Sequence, residues 1–484
     1  MKVIVIGGGI AGLSAGYYLQ KKAHQQGLQL DLSLLEAGQD WGGKITTDRH
    51  EGFVIEGGPD TFLATKPAGV GLCRELGLEA RLHGTNPDQR NTYVLHRGEL
   101  EPLPDGLTMM IPTRFGPMIR TGLLSWLAKA RMGLDFFLPP QPLNGDESLG
   151  AFISRRLGRD AYERLIEPLM SGIYAGDGDK LSLKSTFPYL REMELEYGGL
   201  VKGALAIRRK RAKSSGTKQK GSRSIFLTPR SGLAEIIEAL VERLGDAGAR
   251  LHTNAAVKRV TKLDDGYQVE LMDGEVLAAA GVILATPAYV SGELLSGVNS
   301  QLGKDLQSIP YVSTATISLA YRESDLPRPL DGYGYVIPRR EGRRALACTW
   351  TSTKFPHRAP DGYALVRVFV GRAGQEDDIP EDEAGLLAVA QEELLLTLGI
   401  TAQPVYTRVY YWDKAMPQYN LGHPQRLARI EAALEKLPGL ALAGNGYRGI
   451  GIPDCIHSGE VAAGRVLDQL KEQIPQARYA VQSK

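Results

Sequence analysis

Residues Gly7-Gly8-Gly9-Ile10-Ala11-Gly12 fit G-x-G-x-x-G, and an acid, Glu36, stands 24 positions after Gly12. Together they have the makings of a dinucleotide site. Gly7 permits a tight turn, Gly9 lets backbone approach a pyrophosphate, and Gly12 lets a helix pack closely on a strand. A carboxylate at position 36 accepts hydrogen bonds from a ribose diol and repels a 2′-phosphate. The overlapping Gly12-Leu13-Ser14-Ala15-Gly16 also matches the G-x-S-x-G elbow of hydrolases. That serine has to stand on the turn directly after a strand. Ser14 comes eight residues after Ile6, within an expected helix, so hydrolase chemistry is set aside.

The elements around the glycines give the motif its context. Val3-Ile4-Val5-Ile6 reads as a strand buried on both faces of a parallel sheet, Leu13 to Lys22 as a helix, and Leu28 to Leu35 as a second strand. The helix N-terminus offers free N–H groups and partial positive charge to phosphates. The chain of 484 residues is long enough for two or three domains, with 43% hydrophobic and 23% charged residues, as in ordinary globular proteins. Its 57 glycines are in excess, which suits many tight turns and close backbone approach to a ligand. A net charge of +2 is too balanced for a dedicated nucleic-acid binder. Cys73, Cys348 and Cys455 form no CxxC, and the eight histidines show no metal-ligand spacing, so neither a disulfide framework nor a metal site is expected. No apolar run is long enough to span a membrane, and one lysine before Val3 without a cleavage site argues against a signal peptide. A reducing compartment, the cytoplasm, is the expected location.

The residues after Glu36 narrow the cofactor. Ala37 to Ile45 holds a second glycine turn around Gly42-Gly43-Lys44, and Val54 to Asp60 holds a third, Gly57-Gly58-Pro59. Such turns suit a ligand longer than NAD lined by bare backbone; on these loops alone, hairpin turns of an antiparallel insert fit equally well. The C-terminus favours FAD. Leu440 to Gly446 reads as a strand running into glycines, and Gly449 to Asp454 leads into a helix, Cys455 to Leu470, with Pro453 suited to its first turn. A late helix N-terminus aimed at a flavin stabilises negative charge at N1–C2=O on reduction. Arg250 to Val257 reads as a short strand with the Val257 backbone as an adenine contact, and Val282 to Pro287 as the next strand of the nucleotide domain.

These segments resemble the FAD-binding superfamily of amine oxidases, carotenoid desaturases and protoporphyrinogen oxidases. Four are narrower: Leu169 to Asp177, Leu181 to Pro188, Met416-Pro417-Gln418-Tyr419 and Gly451 to Ile456. They resemble the bacterial soluble porphyrinogen oxidases, the branch acting on coproporphyrinogen III, over about residues 2–470. The resemblance implies an α/β fold in three parts: a discontinuous Rossmann-like FAD domain (1–70, 224–290, 425–484), a mixed-sheet substrate domain (71–104, 291–424) and a helical domain with a basic loop (105–223). It implies non-covalent FAD held by Gly7, Gly8, Gly9, Ile10, Ala11, Gly12, Glu36, Ala37, Gly43 and Lys44. The later contributors would be Gly57, Gly58, Pro59, Asp60, Thr61, Val257, Trp412, Gly444, Gly451, Ile452 and Pro453. For Trp412 a buried structural role is the alternative.

The implied reaction is oxidation of coproporphyrinogen III to coproporphyrin III, with O₂ as acceptor, H₂O₂ as product and hand-off to a ferrochelatase. Protoporphyrinogen IX is the alternative substrate and a flavin amine oxidase the weaker alternative enzyme; a flavoprotein that is only a sensor or scaffold is the non-enzyme alternative. The flavin carries the hard chemistry, so no acid–base residue is named. Tyr333 and Val336, in Tyr333-Gly334-Tyr335-Val336, match positions that pack on one face of the macrocycle, and Ile173 would form the opposite wall; a hairpin with core aromatics is the plain alternative. The eukaryotic branch carries an arginine in P-x-G-L-R, where this chain has Pro104-Asp105-Gly106-Leu107-Thr108. Lys66 stands where the bacterial branch also has a lysine, and is the candidate partner of a propionate unless it is a plain surface lysine.

Periodic segments near 116–136, 147–157 and 159–169 are expected to be helices. Segment 114–138 mixes aromatic and basic residues. Such a stripe ordinarily faces a core or channel wall, and its alternative is peripheral contact with a membrane surface. Residues 202–223 hold nine Lys or Arg and no acid, together with Ser214-Ser215-Gly216-Thr217, and read as a flexible loop before a strand at Ser224–Leu227. Beyond that, a positive lip steering an anionic substrate is the favoured functional reading, and binding of nucleic acid or anionic lipid is the lesser alternative.

Overall fold

The computed structural model describes residues 1–108, 111–112, 114–141, 145–214 and 224–473. Its first sheet is five-stranded and parallel, in the order Arg250–His252, Asp31–Leu35, Lys2–Ile6, Gly281–Leu284, Leu440–Leu442. Val3 and Val5 face one apolar cluster while Ile4 and Ile6 face another. That two-sided burial explains the unbroken β-branched run. Helix Ile10–Gln25 leaves the end of the first strand, and the late helix Ile452–Gln473 packs along it. A Cβ on Gly459 would meet the Ala11 carbonyl oxygen at 2.4 Å, so glycine sets how closely the two helices approach.

A second, seven-stranded sheet runs in the order Tyr406–Pro417, Tyr311–Arg322, Tyr363–Val370, Ala345–Trp350, Gly332–Val336, Asn91–His96, Glu99–Pro102. It is mixed: Gly332–Val336 pairs parallel with Asn91–His96, and the remaining pairs are antiparallel. Between Phe115 and Ser214 the chain is largely helical around its own apolar cluster, which includes Phe152, Leu165, Met170 and Tyr174. Arg156 and Asp135 are both fully buried and paired at 2.6 Å, and Asp135 also accepts the Val201 N–H at 2.8 Å.

Some expectations change. The basic stretch is helical from Leu200 to Ser214, because Leu200, Val201 and Ala204 bury one face and Lys and Arg are good helix formers; residues 215–223 lie outside the described residues. Segment 114–138 is split between two faces: Met118, Leu123, Leu124 and Met132 are buried, while Trp126, Leu127 and Phe137 are 71%, 85% and 81% exposed. The strand expected across Arg250–Val257 ends at His252, since Asn254 turns left-handed (φ 54°), and Val257 instead opens an antiparallel meander. The strand expected at Ser224–Leu227 lies two residues later, at Phe226–Pro229, between Phe62–Leu63 and Leu82–Gly84.

Candidate functional site

The first glycine turn leaves its helix open. Gly9 caps Ile10–Gln25 with no side-chain hydrogen bond, and the first turn carries no acid. No described oxygen takes the N–H groups of Gly9, Ala11 or Gly12. Gly7 adopts φ 107°, and a Cβ on Gly12 would stand 1.9 Å from the Gly7 carbonyl oxygen. Gly9 is different: its φ is −73° and a Cβ would meet only the Gly42 carbonyl oxygen, at 3.9 Å. Its lack of a side chain therefore leaves space rather than relieving strain. Glu36 accepts the Gly8 N–H at 2.6 Å and, through its other oxygen, the Gly38 N–H at 2.8 Å, which fixes its carboxylate beside this turn, with Ala37 next to it in the chain.

The three glycine turns lie on one another. Gly42 donates to the Gly8 carbonyl at 2.9 Å, and a Cβ on Gly43 would be 3.5 Å from the Gly9 Cα. Next, a Cβ on Gly58 would lie 1.9 Å from the Lys44 carbonyl oxygen. The hairpin considered from sequence is present at Thr47–His50 and Phe53–Glu56, and it delivers Gly57-Gly58 to this contact. The Lys44 ammonium donates to the Ala415 carbonyl and lies 6.0 Å from the Tyr311 ring centroid. No described carboxylate pairs with it, and enclosure of the ammonium lowers it to about 8. An anion is the partner such a lysine lacks.

The Gly57-Gly58 turn is held from below by the seven-stranded sheet. The Gly57 carbonyl accepts from Thr316 Oγ1 at 2.7 Å, Trp412 Nε1 at 2.9 Å and Arg367 Nη2 at 3.1 Å. Lys354 pairs with Asp60 at 2.9 Å and Arg358 with Glu56 at 2.8 Å. Burial works to raise the Asp60 carboxyl, yet Lys354 and Arg367 hold it at about 2. Thr61 donates to the same carboxylate at 3.0 Å, and Pro59, between Gly58 and Asp60, contributes no N–H. Sequence alone points to Trp412 and misses Arg367, Thr316, Lys354 and Arg358. A signal was present for Arg367, a charge in the middle of the apolar strand Tyr-Ala-Leu-Val-Arg-Val-Phe-Val.

Gly444, at φ 119°, donates to Ser458 on the late helix at 3.1 Å. Gly451 donates to Asp454 at 3.2 Å, Ile452 is buried, and Pro453 lies against the space a Cβ on Gly69 would fill. Lys66 Nζ reaches both Asp454 oxygens, at 2.7 and 2.6 Å, so its ammonium is engaged at the start of that helix. Cys455 follows, buried, with its thiol pushed up by burial to about 12, a poor nucleophile. Val257 stands two residues beyond Ala255, whose N–H donates to the Glu36 carbonyl at 2.8 Å.

Ile173, 47% exposed, sits near the end of helix Glu167–Tyr174, which packs against the strand carrying Tyr333 and Val336. Tyr333 donates to the Asn86 carbonyl at 2.6 Å, and Asn86 N–H donates to the Lys354 carbonyl at 2.8 Å. Through Lys354 and Asp60 this wall is tied to the Gly57-Gly58 turn.

The arrangement fits a flavin dinucleotide: open N–H groups for phosphates, a fixed carboxylate for a diol and an unpaired enclosed cation. Comparison with known proteins supports a flavin cofactor. The family model described as flavin containing amine oxidoreductase matches residues 10–467. The coproporphyrinogen III oxidase of Bacillus subtilis (strain 168) is 37% identical over 97% of this chain and 98% of its own. The chloroplastic protoporphyrinogen oxidase of Oryza sativa subsp. japonica is 30% identical over 96% and 88%. A crystal structure from Exiguobacterium sp. 255-15, named for a protoporphyrinogen oxidase, superposes with a TM-score of 0.84 at 31% identity, covering 97% of this chain and 99% of that one.

Proposed function

The chain belongs to the flavin containing amine oxidoreductase family, and within it we propose that the chain oxidises coproporphyrinogen III to coproporphyrin III for haem biosynthesis. The cofactor in this reading is FAD, held without a covalent bond, and O₂ is the final acceptor, giving one H₂O₂ per two-electron round. The observation that carries it is 37% identity to the Bacillus subtilis coproporphyrinogen III oxidase over nearly the whole of both chains. The rice protoporphyrinogen oxidase, at 30%, keeps the dipropionate substrate as the second reading.

When bound, FAD supplies the hydride acceptor that a porphyrinogen ring carbon needs. The chain's own residues bind and orient. The open N–H groups of Gly9, Ala11 and Gly12 would hold the pyrophosphate, Glu36 the ribose diol, and Lys44 negative charge on the cofactor. All three cysteines are buried and burial pushes the Cys455 thiol up, so none is suited to a thioether link, which supports a dissociable cofactor. Ile173 on one side, with Tyr333 and Val336 on the other, would hold the macrocycle in place, which is most of what the reaction asks of the protein. A propionate reaching Lys66 has to compete with Asp454 for its ammonium.

Hand-off of the porphyrin to a ferrochelatase completes the reading. No helix among the described residues is long and apolar enough to cross a membrane. The exposed Trp126, Leu127 and Phe137, with Lys129 over the Trp126 ring, fit peripheral contact with a lipid surface. The test of substrate is kcat/KM for the two porphyrinogens, measured by H₂O₂ release. A higher value for coproporphyrinogen III is expected, and a higher value for protoporphyrinogen IX would favour the second reading.

A further inference from the structure

The carbonyl of Gly57 has more donors than it needs. A carbonyl oxygen has two lone pairs, and Thr316 and Trp412 already satisfy them. Arg367 adds a third, charged donor at 3.1 Å and also donates to the Gly58 carbonyl. This guanidinium is 3% exposed and its Nε has no partner, so placing it there costs desolvation that hydrogen-bond satisfaction alone does not require. The nearby acids are already matched, Asp60 by Lys354 and Glu56 by Arg358, and no described carboxylate pairs with Arg367. Burial lowers its pKa, with Asp60 and Glu56 opposing, yet a guanidinium remains protonated at neutral pH.

The three donors come from three adjacent strands. Thr314 is the register partner of Trp412 and Ser318 that of Arg367, so Trp412, Thr316 and Arg367 lie on a diagonal across one face of the sheet. They fix the plane of a single peptide. The other end of that peptide is the Gly58 N–H, which no described oxygen takes and which lies in the turn assigned to the flavin. Donors on a carbonyl polarise the whole amide and strengthen its N–H as a donor.

Resting on the flavin reading above, we propose that the Gly57–Gly58 peptide is an electrostatic relay: Arg367, helped by Thr316 and Trp412, sets the strength of an N–H presented to the flavin and so raises the flavin's reduction potential. Arg367 is a positioning residue that acts through the peptide. The test is the midpoint potential of the bound flavin in wild type, Arg367→Gln, Arg367→Lys, Thr316→Val and Trp412→Phe, each purified with flavin. Arg367→Gln should shift the reduction equilibrium about tenfold toward the oxidised form, about 30 mV for a two-electron couple. Arg367→Lys should recover part of that shift, and the two neutral-donor variants should move it in the same direction by less. A purely structural role would lower flavin content or melting temperature and leave the potential of the remaining bound flavin unmoved. An unmoved potential in flavin-loaded Arg367→Gln overturns the relay; should that variant fail to fold, unmoved potentials in both Thr316→Val and Trp412→Phe overturn it. Wild-type protein that takes up no flavin overturns the flavin reading and the relay together.

Discussion

Replacing Gly9 by aspartate separates the cofactor's needs from the fold's. With φ at −73° and only the Gly42 carbonyl oxygen near a Cβ, at 3.9 Å, the turn itself accepts a side chain. An aspartate at this uncapped N-terminus can accept one of the open N–H groups and face the positive end of the helix dipole. With the smaller backbone entropy of the unfolded chain, these gains sum to about 1 kcal/mol in favour of the flavin-free fold. The effect on FAD has the opposite sign. A carboxylate about 4 Å from a pyrophosphate charge costs about 4 kcal/mol at an effective dielectric of 20, roughly a thousandfold in Kd. Gly9→Asp should therefore melt no lower than wild type without flavin and bind FAD about a thousandfold more weakly. Calorimetry of the flavin-free protein and fluorescence titration with FAD measure the two. Gly12→Ala is the contrast: its Cβ would stand 1.9 Å from the Gly7 carbonyl oxygen, so it should lower the melting temperature as well. Gly9→Asp protein with wild-type FAD affinity, or with a collapsed flavin-free melt, would undo this separation of cofactor from fold.

Acid precipitation should release FAD into the supernatant, and flavin remaining with the pellet would contradict a non-covalent cofactor. Lys44 sits at about 8 in the fold against 10.5 for an ordinary lysine. An unfolded chain then holds more protons than the fold between those values, so flavin-free stability should rise with pH across that window, while FAD binding, which favours the charged lysine, should weaken above pH 8. Lys44→Met should flatten both profiles. Lys66→Ala should reduce kcat/KM for coproporphyrinogen III by about 5- to 150-fold, the value of a charge-assisted contact of about 1–3 kcal/mol, and should affect protoporphyrinogen IX less. Equal losses would assign the lysine to its Asp454 partner instead.

Local patterns in the sequence were enough to read the first strand, the helix after it and the glycine turns. Val3–Ile6, the three glycine turns, Glu36 and the late helix each arise from patterns within a few residues, and the fold brings Gly8, Gly9, Gly42, Gly43, Lys44 and Gly58 into successive contact. What sequence could not supply was partnership across the chain. Arg367 and Gly57 are 310 positions apart, and Lys66 and Asp454 are 388 apart. The helix at Leu200–Ser214 was hidden by its charge: the run of Lys and Arg reads as a loop until Leu200, Val201 and Ala204 find a core to face. Trp126 and Leu127 sit beside buried Leu124 and Ala128, and only the tertiary arrangement decides which of them face water.

Mixing the purified, yellow protein with coproporphyrinogen III in the absence of O₂ goes straight to the proposed reaction. Bleaching of the flavin absorbance is expected on mixing. Once O₂ is admitted, the yellow colour should recover, with porphyrin fluorescence and H₂O₂ in a ratio of one to three. Flavin that stays oxidised in the presence of coproporphyrinogen III, or that is bleached by simple amines and not by any porphyrinogen, would contradict it.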